Sequence, residues 1–301
     1  MRAALPPRFA DWFSARGWAP RAHQLELLAL ADAGRDGLLV APTGAGKTLA
    51  GFLPTLIDLT IRPRNRRGLH TLYISPLKAL AIDIERNLGA PIGEMGLPIR
   101  VETRTGDTST SKRQRQRRDP PDILLTTPEQ LALLIASADA ATLFSDLKRV
   151  VLDELHALAA SKRGDLLALG LTRLRALAPA FAATGLSATV RAPAELARWL
   201  APQGSARPEA AIVTVAGGAA PDITMLDTRA RLPWSGHSAL HAIGEIYERV
   251  RSAKMTLIFV NTRSQAESIF QQLWRINEDG LAIALHHGSL DAAQRRKVEA
   301  A

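Results

Sequence analysis

The stretch GLLVAPTGAGKT, Gly37–Thr48, decides the fold of this chain. It opens with an apolar run of the length of a buried strand and ends where a helical pattern, Thr48–Leu59, begins. Between them, Gly44 and Gly46 allow the backbone to curl so that successive N–H groups point at phosphate oxygens. The positive end of the following helix adds a favourable field. This strand–loop–helix context predicts a P-loop.

The same loop supplies side chains suited to a nucleoside triphosphate. We expect Lys47 to reach the β and γ phosphates, with each charge-assisted contact contributing about 1.5–3 kcal/mol. Thr48 would offer its hydroxyl to Mg²⁺. An ordinary glycine turn before a helix is the alternative, which the context disfavours. The predicted ATP-binding residues of the loop are Thr43, Gly44, Ala45, Gly46, Lys47 and Thr48.

A second motif, VVLDELH at Val150–His156, places two carboxylates at the end of an apolar strand. The carboxyl ends of parallel strands are where ligands sit in open α/β folds. Asp153 is the predicted Mg²⁺ anchor, directly or through water, and Glu154 the base that orients and deprotonates the attacking water. His156 is expected to couple the γ-phosphate side to the opposite domain. A lone Asp-Glu pair would be read as a solvated strand end, but with the P-loop it predicts hydrolysis, with Lys47 completing the catalytic set.

Short apolar runs alternate with amphipathic segments along the chain, which predicts βαβ units around a parallel sheet, an α/β fold. The predicted strands are Gly37–Ala41, His70–Ser75, Ile99–Thr103, Asp122–Thr126, Arg149–Leu152 and Ala183–Leu186, with an extra strand at Ala211–Val215. The helical patterns between them are Thr48–Leu59, Leu77–Gly89 and Pro128–Ser137.

Glycine and proline become frequent between Ala201 and Gly236, which indicates the end of a first domain and a connector. We place the first domain at 1–228, a linker at 229–237 and a second α/β domain at 238–301. The second pattern contains helices at Ala239–Arg251, Ser264–Trp274 and Asp291–Ala301, and strands at Met255–Val260 and Ala282–His286. Such a domain needs several more strands, and the last helix has no stop signal, so we expect the second domain to be cut short.

The composition is that of a protein with a real core, and it narrows the class. No apolar run reaches the roughly 18 residues of a membrane span, and the N-terminus does not resemble a signal peptide. The chain contains no cysteine, so disulfides and zinc–thiolate sites are excluded, and a reducing cytoplasm is the expected setting. The net charge of +9 favours polyanionic partners, although the residue usage of a GC-rich genome would give the same balance. The basic run Ser111–Arg118 is more typical of a solvated helix face than of a binding site.

With these motifs in order, the chain resembles superfamily 2 helicases of the DExH type over nearly its whole length. Within them it is similar to the long-helicase-related (Lhr-type) proteins, in particular the bacterial ligase-associated branch. The resemblance implies a RecA-like P-loop NTPase domain followed by the start of a second RecA-like domain, with ATP and Mg²⁺ as cofactors. The matching segments are Gly17–Gln24 (the adenine-reading Q motif, with Gln24 on the base), Thr71–Leu80 (motif Ia), Arg104–Asp107, Thr126–Glu129 (motif Ib), Ser187–Thr189 (motif III), Ile258–Arg263 (motif IV) and His286–Ser289.

In such motors the nucleic-acid strand is gripped mainly by its backbone, for which hydroxyls, amides and helix N-termini are suitable donors. Pro76 and Pro128 are equally suited to starting a helix. Trp12, Phe13 and Trp18 could stack on the adenine or fix the N-terminal helix to the core. The residues that the resemblance implies for nucleic acid are Pro76, Lys78, Gly106, Thr127, Pro128, Thr262 and Arg263, and those for coupling are Ser187 and Thr189.

The resemblance implies an ATP-dependent helicase that moves 3′ to 5′ on single-stranded DNA in repair, nucleoid-associated in a bacterial cytoplasm, with a DNA ligase or nuclease as possible partners. The sequence contains no motif V or arginine-rich motif VI. A missing arginine finger costs about 10³–10⁵ in rate, so we expect weak hydrolysis from this chain. An RNA-directed motor stays open, as does a non-motor nucleotide- and nucleic-acid-binding module, because backbone contacts do not separate DNA from RNA. A P-loop transporter or kinase is disfavoured by Gln24 and motifs Ia, Ib and IV.

Overall fold

The computed structural model describes residues 5–62, 68–202, 208–217, 221–226, 228 and 239–300. The chain divides into two compact units, residues 1–219 and 220–301. The predicted linker 229–237 lies outside the described residues, so the proposed domain limits stay a prediction. No helix within the described ranges combines the length and the apolar character needed to cross a bilayer.

The first unit is built on a parallel sheet with the order β3-β4-β2-β5-β6-β1-β7. Every strand pair in it is parallel. This confirms the predicted α/β fold, and the predicted strands of this unit are displaced by at most two residues at either end. The strands are β1 Gly37–Val40, β2 Thr71–Ile74, β3 Val101–Arg104, β4 Ile123–Thr126, β5 Arg149–Leu152, β6 Ala182–Ser187 and β7 Ala211–Thr214.

Helices cover both faces of this sheet, so the strands are buried on both sides and alternate residues face two separate apolar layers. Leu38 and Val40 belong to one layer and Leu39 to the other. In the second layer the rings of Phe52 and Tyr73 stack with centroids 5.5 Å apart. The helices are α1 Pro7–Ala15, α2 Ala22–Asp32, α3 Lys47–Ile61, α4 Lys78–Glu94, α5 Thr110–Arg118, α6 Pro128–Ile135, α7 Ala140–Phe144, α8 Leu155–Ala159, α9 Lys162–Leu177 and α10 Pro193–Leu200.

The N-terminal helix α1 is fixed to the core by its aromatic residues. Trp12 and Phe13 are buried, and the indole N–H of Trp12 donates to Glu94 on α4 at 2.7 Å. Trp18 stays half exposed, with the guanidinium of Arg16 4.8 Å from its ring centroid. Helix α4 continues five residues past its predicted end at Gly89. Pro91 lies within this extension and does not end the helix.

The second unit contains a 3₁₀ turn, Ala239–Ala242, followed by helices α11 Ile243–Ser252, α12 Arg263–Arg275 and α13 Ala292–Ala300. The strands predicted at Met255–Val260 and Ala282–His286 are wrong for this structure, which has irregular backbone there. An apolar run needs a hydrogen-bonded neighbour to become a strand. The described residues of this unit offer none, and Phe259 is left 89% exposed.

Candidate nucleotide and nucleic-acid site

The loop between β1 and α3 has the backbone form that phosphate binding requires. Gly44 and Gly46 have φ angles of 80° and 77°, in the region that favours glycine. Helix α3 begins at Lys47, and Gly46 is its left-handed N-cap. The first N–H groups of α3 have no partner inside the helix and are available to an anion. A Cβ on Gly46 would also stand 3.2 Å from Nε2 of Gln24. Both the φ angle and the close approach of Gln24 therefore favour glycine at this position.

Lys47 lies along the same loop. Its Nζ donates to the carbonyl oxygens of Ala41 at 3.0 Å and Pro42 at 3.2 Å, which holds the ammonium group beside the loop amides. Thr48 is the next residue of the helix and is half buried, whereas Thr43 is exposed. The predicted ATP-binding residues of the loop therefore lie together, on one strand–loop–helix unit.

The start of α2 fastens the tip of this loop. Arg21 donates to the carbonyl of Gly44 at 3.1 Å, and Nε2 of His23 lies 3.0 Å from the carbonyl of Ala45. Burial lowers the pKa of His23, and the charge of Arg21 acts in the same direction. Because the carbonyl of Ala45 can only accept, Nε2 of His23 is the donor in this contact. The sequence analysis missed both residues, although both lie in the segment Gly17–Gln24 that it singled out.

Gln24 was assigned to the adenine base, and the structure shows a different set of contacts for it. The side chain is 3% exposed, and its Oε1 accepts from the backbone N–H of Arg21 at 2.9 Å, which caps α2. Its Nε2 faces Gly46. Adenine recognition by Gln24 stays a prediction, and the contacts present connect this residue to the P-loop.

Asp153, the predicted metal anchor, is oriented by two hydrogen bonds. Its Oδ2 accepts from the hydroxyl of Tyr73 at 2.7 Å, and its Oδ1 accepts from the N–H of Glu154 at 2.9 Å. Burial and the charge of Asp153 raise the pKa of Tyr73, so the hydroxyl remains a donor. Tyr73 was missed by the sequence analysis. The available signal was a tyrosine inside the predicted buried strand, TLYI, where a phenolic hydroxyl needs a partner.

Glu154 has a φ of +48°, a strained value for a residue with a side chain, and it stands immediately after Asp153 at the start of α8. Its Oε2 lies 3.4 Å from Nε2 of His156. On the other side of the imidazole, Nδ1 of His156 lies 3.2 Å from Oγ of Ser187. The histidine thus connects the predicted base to motif III. Thr189, also predicted for coupling, is exposed.

The order of the strands brings these parts to one edge of the sheet. The P-loop follows β1, Ser187 ends β6 and Asp153 follows β5, and these three strands are neighbours. Strands lie about 4.8 Å apart, so the P-loop strand and the carboxylate strand are about 10 Å apart. This spacing leaves room for a triphosphate and a metal ion between them.

The predicted nucleic-acid residues of the first unit follow the other strands at the same edge. Pro76 follows β2, and its carbonyl accepts from Arg163 at 2.7 Å. Arg163 also forms a two-pronged ion pair with Glu129 at 2.5 and 3.0 Å, which lowers the pKa of Glu129 to about 2. Thr127 and Pro128 start helix α6 after β4. One guanidinium therefore joins motif Ia to motif Ib.

Lys78 and Gly106 also come together. Nζ of Lys78 pairs with Asp107 at 2.9 Å, and it would lie 3.2 Å from a Cβ placed on Gly106. In the second unit, Thr262 caps α12 by accepting from the N–H of Gln265 at 3.2 Å. Arg263, the first residue of that helix, is exposed. Each unit thus contains some of the residues that were predicted to contact the nucleic-acid backbone.

The basic run on α5 is mostly exposed, as predicted for a solvated helix face, and several of its charges also have partners within the first unit. Arg115 forms a two-pronged pair with Glu102 at 2.9 and 2.8 Å, and Arg117 pairs with Asp139 at 2.6 Å. Arg113 donates to the carbonyls of Thr105 and Gly106. Several of these charges therefore fix α5 and the loop after β3 in place.

A P-loop, a DExH box joined by histidine to motif III, and a row of phosphate-type donors on one parallel sheet define a P-loop NTPase domain of the helicase class. The family model for the DEAD/DEAH box helicase matches residues 21–196. The chain belongs to the DEAD/DEAH box helicase family.

Several relatives are Lhr proteins, as the resemblance to the Lhr-type proteins predicted. It is 39% identical to the Lhr helicase/probable uracil glycosylase of Mycolicibacterium smegmatis, over 92% of this chain and 19% of that protein. It is 36% identical to the ATP-dependent helicase Lhr-Core of Methanothermobacter thermautotrophicus, over 99% of this chain and 37% of that protein. The structure of Mycobacterium smegmatis Lhr bound to ssDNA and AMP-PNP matches with a TM-score of 0.79 at 35% identity, covering 98% of this chain and 40% of that one. The chain therefore spans well under half the length of these relatives.

Proposed function

We propose that this chain carries the ATP-hydrolysing and strand-gripping elements of an Lhr-type DNA helicase. The observation that carries the proposal is the joint placement of Lys47, Glu154 and Ser187 after neighbouring strands, with His156 between the last two. A binding module would need the P-loop but has no use for a base placed beside a histidine that contacts motif III.

The residues present fit ATP with a divalent cation. The α3 amides and Lys47 would hold the phosphates, and the Thr48 hydroxyl and the Asp153 carboxylate would hold Mg²⁺. The cation would neutralise part of the charge of the triphosphate. The bonds from Tyr73 and from the backbone of Glu154 fix the direction of the Asp153 oxygens before any ligand arrives. Such preorganisation reduces the reorganisation needed during the reaction.

Glu154 would accept the proton of the attacking water. Its positive φ turns it away from the strand direction, and its side chain is 35% exposed, so a water molecule can reach it. His156 lies between this carboxylate and Ser187, so it would relay the position of the base to motif III. We assign Glu154 as the general base and His156 as a positioning residue.

The nucleic-acid strand would cross the carboxyl ends of β2, β4 and β3, beside Pro76, Gly106 and Thr127. We propose single-stranded DNA as the polymer, with 3′ to 5′ movement and a role in repair. The support is the likeness to Lhr proteins, one of which has been solved with ssDNA. A repair ligase or nuclease as partner is a proposal from the resemblance alone.

Two variants, made in a full-length version of the protein, test the assignment of the ATP site. Lys47→Ala should abolish binding of a fluorescent ATP analogue, because it removes the phosphate contact. Glu154→Gln should bind the analogue like the wild type and lose hydrolysis stimulated by an oligo(dT) strand. If Glu154→Gln keeps its turnover, the base assignment is wrong. A stronger stimulation by oligo(U) than by oligo(dT) would favour the RNA-directed alternative.

A further inference from the structure

Arg104 is buried beside the proposed path of the nucleic-acid strand, and within the described residues its guanidinium group has no anionic partner. Arg104 is the last residue of β3, and its side chain is only 8% exposed. Glu102, two residues earlier, is on the same face of β3, beneath α5, where Arg115 and Gln116 already bind it. The carboxylate of Glu102 is therefore committed to other donors.

Arg104 has almost no acceptors of its own. Its Nε has none within the described residues, and its other resolved bond is a long one, 3.4 Å, to the carbonyl of Arg113. No carboxylate lies within ion-pair distance of it in the described part of the chain. Burial and the charges of Arg113 and Arg117 lower the pKa of Arg104, so its neighbours repel it. The Nε of Arg113 is also buried without an acceptor.

Such an arrangement is unfavourable for the protein alone. Arginine stays charged at any physiological pH, and a buried charge is tolerated when it is paired and hydrogen-bonded. Two adjacent guanidinium groups with unused Nε–H donors repel each other unless an anion lies between or beside them. An anionic partner is therefore expected from outside the described residues.

The position of Arg104 indicates which anion. The next two residues are Thr105 and Gly106, and Gly106 belongs to the predicted strand contacts. Thr126, the neighbour of Arg104 on β4, donates its hydroxyl to the Arg104 carbonyl at 2.8 Å and directly precedes Thr127. Arg113 holds the carbonyls of Thr105 and Gly106. The fork of a guanidinium matches two phosphate oxygens.

We propose that Arg104 and Arg113 form a phosphate-binding pair that takes a backbone phosphate of the nucleic-acid strand as it passes the loop after β3. The proposal rests on the proposed strand-binding function and adds to it a contact from beneath α5. The side chain of Arg104 supplies the charge, and Arg113 supplies a second guanidinium and fixes the loop.

The test compares Arg104→Gln with Arg118→Gln in the full chain. Arg118 is an exposed cation at the end of α5, so its variant controls for the general loss of one charge. Binding of fluorescein-labelled oligo(dT) is measured over a series of salt concentrations. Arg104→Gln should weaken binding about 5- to 30-fold and lower the slope of log affinity against log salt by about 0.7–1. Arg118→Gln should change binding by less than about 3-fold.

Two further measurements separate this role from a structural one. The melting temperature of Arg104→Gln should equal or exceed that of the wild type, because an unpaired buried charge has been removed. Inorganic phosphate should raise the melting temperature of the wild type more than that of the variant. Affinity for the ATP analogue without the strand should be unchanged.

Several outcomes would overturn the proposal. A lower melting temperature in Arg104→Gln with an unchanged salt slope would make the residue structural. Stabilisation by inorganic phosphate with unaltered strand binding would make it a site for a free anion. If the wild type binds oligo(dT) and both variants bind it as tightly as the wild type does, this inference fails while the proposed function stands. If the wild type binds no strand, the proposed function fails as well.

Discussion

The hydroxyl of Tyr73 donates to Oδ2 of Asp153 from a side chain that is completely buried. Tyr73→Phe keeps the ring and its stacking on Phe52 but leaves Asp153 with one donor fewer. A hydrogen bond to a charged group contributes about 1.5–3 kcal/mol, so we expect the free energy of unfolding to fall by that order. We also expect weaker Mg²⁺ dependence of ATP-analogue binding, since the carboxylate is less well directed.

The measurement is a Mg²⁺ titration of analogue binding at fixed nucleotide, with urea unfolding alongside. Phe52→Leu is a suitable control, because it loosens the same apolar layer without touching the hydroxyl. If Tyr73→Phe lowers stability and leaves the Mg²⁺ midpoint unchanged, the hydroxyl serves only the fold.

A second residue, His70, should make the stability of the protein depend on pH. Burial lowers its pKa from 6.5 to about 4, and Arg62, Arg149 and Lys148 act in the same direction while Asp58 opposes them. As pH falls below about 6.5, the unfolded chain takes up the proton first, so the free energy of unfolding declines until about pH 4. This lowering of the His70 pKa to about 4 corresponds to a loss of about 3 kcal/mol in the free energy of unfolding.

Unfolding by urea at pH 7 and pH 4.5, for the wild type and His70→Asn, checks this. The wild type should lose about 2–3 kcal/mol more than the variant between the two pH values. Equal losses in the two proteins would mean that His70 is protonated in the folded state.

The junction between helices α8 and α9 holds the DExH box in place. Gly164 lies in the first turn of α9, and a Cβ there would stand 2.2 Å from the carbonyl oxygen of Leu158 in α8. Gly164→Ala must therefore push α8 away, and with it His156. We expect a loss of stability of at least about 1–3 kcal/mol and weaker ATP hydrolysis, with ATP-analogue binding retained.

Gly89→Ala is the matched control, because Gly89 lies inside α4 with nothing within 4 Å of the added Cβ. Alanine should stabilise that helix by about 0.5–1 kcal/mol. The two substitutions should thus change the free energy of unfolding in opposite directions. A stabilising Gly164→Ala would show that the two helices are not packed as described.

The sequence predicted the elements that have local signals and missed those that depend on distant partners. The strands of the first unit, the P-loop and the DExH box follow from apolar runs and glycines within a few residues of each other. The role of Tyr73 depends on Asp153, 80 residues away, and the unpaired state of Arg104 depends on which arginines and carboxylates α5 brings to it. The strand predicted at Met255–Val260 failed for the same reason, since pairing is not a local property.

In the first unit, the proposed nucleotide-binding and nucleic-acid-binding residues share one edge of one sheet, with Ser187 on the strand between the P-loop and the DExH box. A matched structure of a relative was obtained with ssDNA and AMP-PNP bound. We expect AMP-PNP to tighten binding of oligo(dT) and, because linkage is reciprocal, oligo(dT) to tighten AMP-PNP by the same factor, about 5- to 150-fold.

Ser187→Ala should reduce that factor, because it removes the contact that His156 makes toward motif III, while each ligand alone should bind nearly as before. Thr189→Ala is the control within the same motif, since Thr189 is exposed. The affinities of both ligands, alone and together, give the coupling of each variant directly. If Thr189→Ala lowers the factor as much as Ser187→Ala, coupling runs through motif III as a whole and not through the histidine. If neither variant changes it, the contact between His156 and Ser187 positions the base for hydrolysis only, and the coupling between ATP and the strand must come from other residues.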